Sequence, residues 1–253
     1  MNVTKLTWFA VPLIALGIGA APARALDLNA MSDAERDAFQ AQVRAYLLEH
    51  PEVIMEAVAV LEQRQQAQQG EADKTMISDN KAAIFEDGVS WVGGNPDGDV
   101  TLVEFMDYRC GYCRRAFDDV ASLVESDGNI RFVVKEFPIL GEDSVQAARF
   151  AIATREVAGD AAYEKAHNSL MKLQGPVNDA ALSRLARDLD LDGPAILAAM
   201  DDAAVTEEIR ANHALAQKLA INGTPTFVLA DEMLRGYVPL ADMQRIVEQV
   251  RTE

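Results

Sequence analysis

Cys110 and Cys113 are the only cysteines in this 253-residue chain, and they stand three positions apart in Cys110-Gly111-Tyr112-Cys113. None is left to staple distant segments, so the pair is better suited to opening and closing its own small ring than to scaffolding a fold. Its flanks decide the setting. Val100-Thr101-Leu102-Val103-Glu104-Phe105-Met106 reads as a buried strand carrying one conspicuous acid, and Arg114 to Glu125 reads as a helix. A strand entering a helix at Cys110 places that sulfur where unsatisfied N–H groups and the helix dipole favour a thiolate. Cys110 is then the nucleophile and Cys113, one turn further in, the resolving thiol.

From about Ile84 onward the texture is α/β. Gly93-Gly94-Asn95-Pro96-Asp97-Gly98 is a turn cluster, and Ile130 to Phe137 is a second strand ended by Pro138. A helical stretch runs from about Ser144 to Ala220, punctuated at Gly159, Gly175-Pro176 and Gly193-Pro194. Thr226 to Leu229 and Met233 to Val238 form a strand pair, and Pro239 to Val250 a closing helix.

Ahead of this, Ser32-Asp33-Ala34-Glu35 is a capping box, followed by Phe39, Val43 and Leu47 at helical spacing. Pro51 opens a second helix with Ile54, Val58 and Leu61 on one face, which passes into the polar run Glu62 to Gln69, a helical or flexible spacer. So short a helical pair buries too little to stand alone, so its stripe packs on the main domain or on copies of itself. Gly70 to Asn80 is the boundary region.

Residues 1–25 have the pattern of an export leader: Lys5, an apolar run from Leu6 to Ala21, and Ala23-Arg24-Ala25 as a cleavage pattern. The apolar run is short for a bilayer and contains Pro12, so no membrane anchor is expected once the leader is cleaved. The formal charge of -17 speaks against nucleic acid as a partner and for other proteins. A structural zinc needs four ligands, and one CxxC with scattered His50, His167 and His213 does not supply them. Cu(I) on the thiolates of Cys110 and Cys113 stays open.

Gly223-Thr224-Pro225-Thr226-Phe227 places a proline at the opening of a strand, where it donates nothing to a ladder. Glu104-Phe105, the CxxC, Lys135-Glu136-Phe137-Pro138 and Thr224-Pro225-Thr226, in this order, resemble the DsbA-like thioredoxin-fold family over about residues 84–253. The resemblance implies a thioredoxin fold with a helical insertion at about 140–220, preceded by an α-helical N-terminal extension. The expected division is a leader over 1–25, a helical oligomerisation segment with linker over 26–75, and the thioredoxin domain over 76–253. It also implies a cis Pro225 beside the cysteines, with Thr224, Gly111 and Tyr112 contacting an extended substrate. Glu104 aligns with the family's acid beneath the active site, where burial raises its pKa and lets it relay a proton for Cys113. The alternative turns it to solvent at the sheet edge. Lys135 is its candidate charge partner.

Val43 to Ile54 resembles the N-terminal extension of the suppressor-of-copper-sensitivity protein C (ScsC) group. Long extensions there resemble those of trimeric thiol–disulfide isomerases. The resulting expectation is a periplasmic oligomer, a trimer through residues 26–70, that rearranges disulfides of exported proteins and is kept reduced by a membrane-bound thiol donor. Its redox group is the Cys110–Cys113 disulfide, with no added cofactor. A monomeric DsbA-like oxidase and a Cu(I)-binding protein are the alternatives.

Overall fold

The computed structural model describes residues 30–252, so the leader pattern over 1–25 and the residues just after it lie outside the described part. Two compact units divide between Val60 and Leu61. In the first, α1 (Asp33–Glu49) opens on its capping box: Glu35 N donates to Ser32 Oγ at 3.4 Å, and Ser32 N to Glu35 Oε2 at 2.9 Å. No residue of α1 is buried. His50 N closes the helix on Tyr46 O, Pro51 prevents continuation, and α2 (Glu52–Asp79) begins at the next residue. Phe39, Val43, Tyr46 and Leu48 on α1, with Ile54, Met55 and Val58 on α2, stand exposed. Phe39, Val43, Leu47 and Ile54 line a groove of about 410 Å³. The polar run Glu62 to Gln69 is helical throughout, α2 passes Gly70 without a break, and the short helix α3 (Lys81–Phe85) follows it.

The second unit is built on a five-stranded sheet in the order β1-β3-β2-β4-β5. β2 (Val100–Met106) and β3 (Ile130–Glu136) run parallel at its centre, joined over the sheet by α4 (Gly111–Asp127). β1 (Trp91–Gly94) adds antiparallel to β3, while β4 (Thr226–Leu229) and β5 (Glu232–Arg235) form a hairpin antiparallel to β2. Strand alternation sorts the core into two layers. Leu102, Met106, Phe132, Val134 and Phe227 face the cluster that holds α4 and most of the helical insertion. Val103, Phe105, Val133 and Val228 face Ile77, Ile84, Leu215 and Leu219.

The insertion comprises α5 (Glu142–Ala158), α6 (Asp160–Lys172), α7 (Asp179–Asp188), α8 (Gly193–Ala199) and α9 (Ala203–Lys218); α10 (Leu240–Thr252) closes the chain. Gly159 and Gly193 mark helix boundaries as the sequence indicates, but the break before α9, with Asp202 as N-cap, carries no Gly or Pro. The sequence reading misses the short helix α3 and also β1. Its two glycines look like turn residues, yet a Cβ at Gly93 would collide with the Trp91 ring folded over it. The last strand is also shorter than expected and ends at Arg235 rather than Val238.

Candidate active site

Asp107, Tyr108, Arg109 and Cys110 form a turn closed by Cys110 N donating to Asp107 O at 3.0 Å. Leaving β2 through this turn, the chain delivers Cys110 as the N-cap of α4. Cys113 N donates to Cys110 Sγ at 3.4 Å, so the sulfur occupies the place of a capping oxygen. On its other side the Cys110 thiol donates to Thr224 O at 3.2 Å. The Thr224–Pro225 peptide is cis, and Pro225 O accepts from Gly236 N at 2.8 Å, which ties this loop to the end of β5.

Both cysteines are free thiols, and Cys113 is wholly buried. The Cys110 thiol is lowered to about 5. A hydrogen bond from the Cys113 thiol leads, partial burial opposes it, and the Thr224 side chain and the N–H groups of Cys113 and Tyr112 add to the lowering. Cys113 is pushed far up, by burial first, then by its bond to Cys110 and by the charge of Glu104. One sulfur is therefore a ready nucleophile, and the other holds its proton until something removes it.

Glu104 is buried, not turned to solvent. Burial first, and then the charge of Cys110, raise its carboxyl to about 8, and its Oε1 has no hydrogen-bond partner. It lines a cleft of about 920 Å³ between β1, α4 and α6, together with Phe117, His167 and Lys172.

Lys135 does not pair with Glu104. Glu104 lies opposite Val134 in the register, so Lys135, one residue on, points to the other face of the sheet. There its Nζ donates to Asp87 Oδ2 at 2.6 Å and to Ala83 O at 2.9 Å. Tyr112 is exposed, at 63%, and Gly111 has open space where a Cβ would sit.

Three side chains around the turn escape the sequence reading. Asp107 Oδ1 accepts from Arg109 N at 2.7 Å, and its Oδ2 accepts from Ile139 N and Leu140 N at 2.8 and 3.1 Å. Arg114 Nε donates to Tyr108 O and its Nη2 to Leu173 O, both at 2.8 Å. Glu136, inside the motif Lys135 to Pro138, accepts from Tyr108 and Tyr163 on one oxygen. The available signal was an acid and an aromatic residue, Asp107 and Tyr108, standing just before Arg109 and the CxxC. Among the described residues, no group of three or more His, Cys, Asp or Glu side chains gathers as a metal would require. No helix among them is long and apolar enough to cross a membrane.

Residues 101–248 match the family model described as DSBA-like thioredoxin domain, and residues 35–68 match the one described as copper resistance protein ScsC N-terminal domain. The chain is similar to a thioredoxin-like oxidoreductase from Silicibacter pomeroyi DSS-3, at 44% identity and a TM-score of 0.65, covering 69% of this chain and 99% of that one. It is similar to BcfH of Salmonella enterica Typhimurium at 27% identity and a TM-score of 0.71, covering 86% and 96%. Na(+)/H(+) antiporter NhaA 1 of Salinispora arenicola is 33% identical over 137 residues, 54% of this chain. The chain spans 21% of the length of that curated relative. With the family match covering more than half of the sequence and the sheet order in place, the chain belongs to the DSBA-like thioredoxin domain family.

Proposed function

We propose that this protein is a periplasmic thiol–disulfide isomerase and reductase acting on disulfides of exported proteins. The observation that carries the reading is Cys110 as a thiolate-stabilising helix cap, with the Thr224 backbone at 3.2 Å and a buried, protonated Cys113 one turn behind it. Cys110 attacks one sulfur of a client disulfide, forms a mixed disulfide and expels the other client sulfur as a thiolate. Cys113 then attacks Cys110 Sγ, releases the client thiol and closes the Cys110–Cys113 disulfide. A client thiol that attacks first returns the enzyme reduced with the client rearranged. In the mixed disulfide Cys110 no longer carries a charge, which eases ionisation of Glu104, and the ionised carboxylate accepts the Cys113 proton as that thiol becomes a nucleophile. Gly111, Tyr112, Thr224 and Pro225 form the surface that receives the client strand. A membrane-bound thiol donor restores the dithiol, and the leader pattern of residues 1–25 supports the compartment.

The exposed apolar residues of α1 and the start of α2 support self-association, a trimer through residues 26–70. Several active sites in one assembly recapture a client at high effective concentration, which suits rearrangement better than single oxidation. A second reading, a monomeric dithiol oxidase, is favoured by the lowered Cys110 thiol, because a stabilised thiolate makes the disulfide more oxidising.

Reactivation of scrambled ribonuclease by the reduced protein separates the two. Removal of residues 26–60 is expected to abolish reactivation while oxidation of reduced ribonuclease persists. Undiminished reactivation after the deletion overturns the isomerase assignment built on the helical extension.

A further inference from the structure

Tyr108 is the first central residue of the turn that ends in Cys110, and it is held at both ends. Its carbonyl accepts from Arg114 Nε at 2.8 Å, and the same guanidinium reaches Leu173 O just past the end of α6. Its hydroxyl donates to Glu136 Oε1 at 2.7 Å and lies within hydrogen-bond distance of His167 Nδ1, at 3.0 Å. The ring is buried, at 1% exposure, and meets His167 edge-on at 5.5 Å. Tyr163 donates to the same Glu136 oxygen at 2.6 Å, and its ring stacks on Trp91 and His167. Burial holds the Glu136 carboxyl up at about 8 against the pull of both hydroxyls, and burial lowers His167 to about 4.

Such a network is costly to bury, and here both tyrosine hydroxyls converge on Glu136 Oε1 while Glu136 Oε2 has no partner. Here it is spent on a turn residue rather than on the centre of the sheet. Thiolate stabilisation at Cys110 depends on where its sulfur stands relative to the first N–H groups of α4, and the turn sets that position.

We propose that Tyr108 is a positioning residue for the nucleophile, fixing the Cys110 turn to β3 and α6 through its hydroxyl contacts with Glu136 and His167. The proposal rests on Cys110 being the nucleophile. It assigns to the helical insertion a part in tuning that sulfur, because His167 and the Leu173 anchor both belong to it.

Tyr163 supplies a matched control, since Tyr163→Phe removes one hydroxyl from the same carboxylate oxygen without touching the turn. The measurement is the pH dependence of iodoacetamide alkylation of Cys110 in the reduced full chain, with thermal unfolding recorded for each variant. In Tyr108→Phe the midpoint is expected to rise by about half a pH unit or more, a threefold loss of thiolate at low pH, with Tyr163→Phe unmoved. Equal midpoints in wild type and Tyr108→Phe, or equal shifts in the two variants, overturn the proposal. A wild-type midpoint in the ordinary thiol range instead overturns the nucleophile assignment, so the two failures are distinct. If Tyr108→Phe does not fold, His167→Leu removes the other hydroxyl contact. A raised midpoint there supports the proposal, and an unmoved one overturns it.

Discussion

Cys110 Sγ and the carbonyl oxygen of Thr224 lie 3.2 Å apart although 114 residues separate them in sequence. β4 brings them together by pairing with β2, so the proline loop and the CxxC turn emerge at the same end of adjacent strands.

The lowered Cys110 thiol has a signed consequence. Its folded pKa of about 5 lies below the ordinary 9.0, so the thiolate adds stability to the reduced protein above pH 9, and that stability is lost as pH falls toward 5. The reduced form is expected to gain stability relative to the disulfide form between those values, read by thermal unfolding of both. Iodoacetamide at pH 6 should label Cys110 rapidly and leave Cys113 intact. A labelling rate that keeps rising to pH 8.5 contradicts this.

Glu104 works in the opposite direction. It stays protonated in the folded protein to about pH 8 but ionises near 4.5 when unfolded, so it lowers stability as pH rises between the two. Glu104→Gln is expected to stabilise the reduced protein at pH 7 by up to about 3 kcal/mol, with little gain at pH 4. Release of the mixed disulfide should slow by about tenfold or more in the same variant, because no buried base then takes the Cys113 proton. A gain independent of pH, or unchanged release, counts against the relay.

The buried Lys135 ammonium depends on Asp87 for its charge partner. Asp87→Ala should cost about 3 kcal/mol in urea unfolding, since it strands a buried cation. The Cys110 midpoint should stay put, because this pair lies on the face of the sheet away from Glu104. A moved midpoint would show coupling through the sheet.

Most of this architecture is legible in the chain. β2 and β3 announce themselves as apolar runs, and the capping box at Ser32 sets the start of α1. The Cys110 cap follows from a strand, a CxxC and a helix in succession. β1 is not legible, because Gly93 and Gly94 are there for the close approach of Trp91 and Ile130 rather than for a turn. Nor is the partner of Lys135, since a single-residue offset in strand register decides which face a side chain takes. Tyr108 and Glu136 stand 28 residues apart, and only the parallel pairing of β2 and β3 makes them neighbours.

The helical extension carries its own test. Val58→Asp places a charge in its exposed apolar stripe and should reduce the native mass in light scattering to that of a single subunit. Wild type should run as a trimer. A single-subunit mass for wild type removes the oligomer from the proposal.

The most direct test is capture of the intermediate. Cys113→Ala incubated with scrambled ribonuclease should accumulate a covalent adduct joined through Cys110, released by dithiothreitol and absent from Cys110→Ala. A protein that merely holds Cu(I) on its two thiolates forms no such adduct. Absence of the Cys110 adduct, in a folded Cys113→Ala variant with a reactive Cys110, would contradict thiol–disulfide exchange at this site.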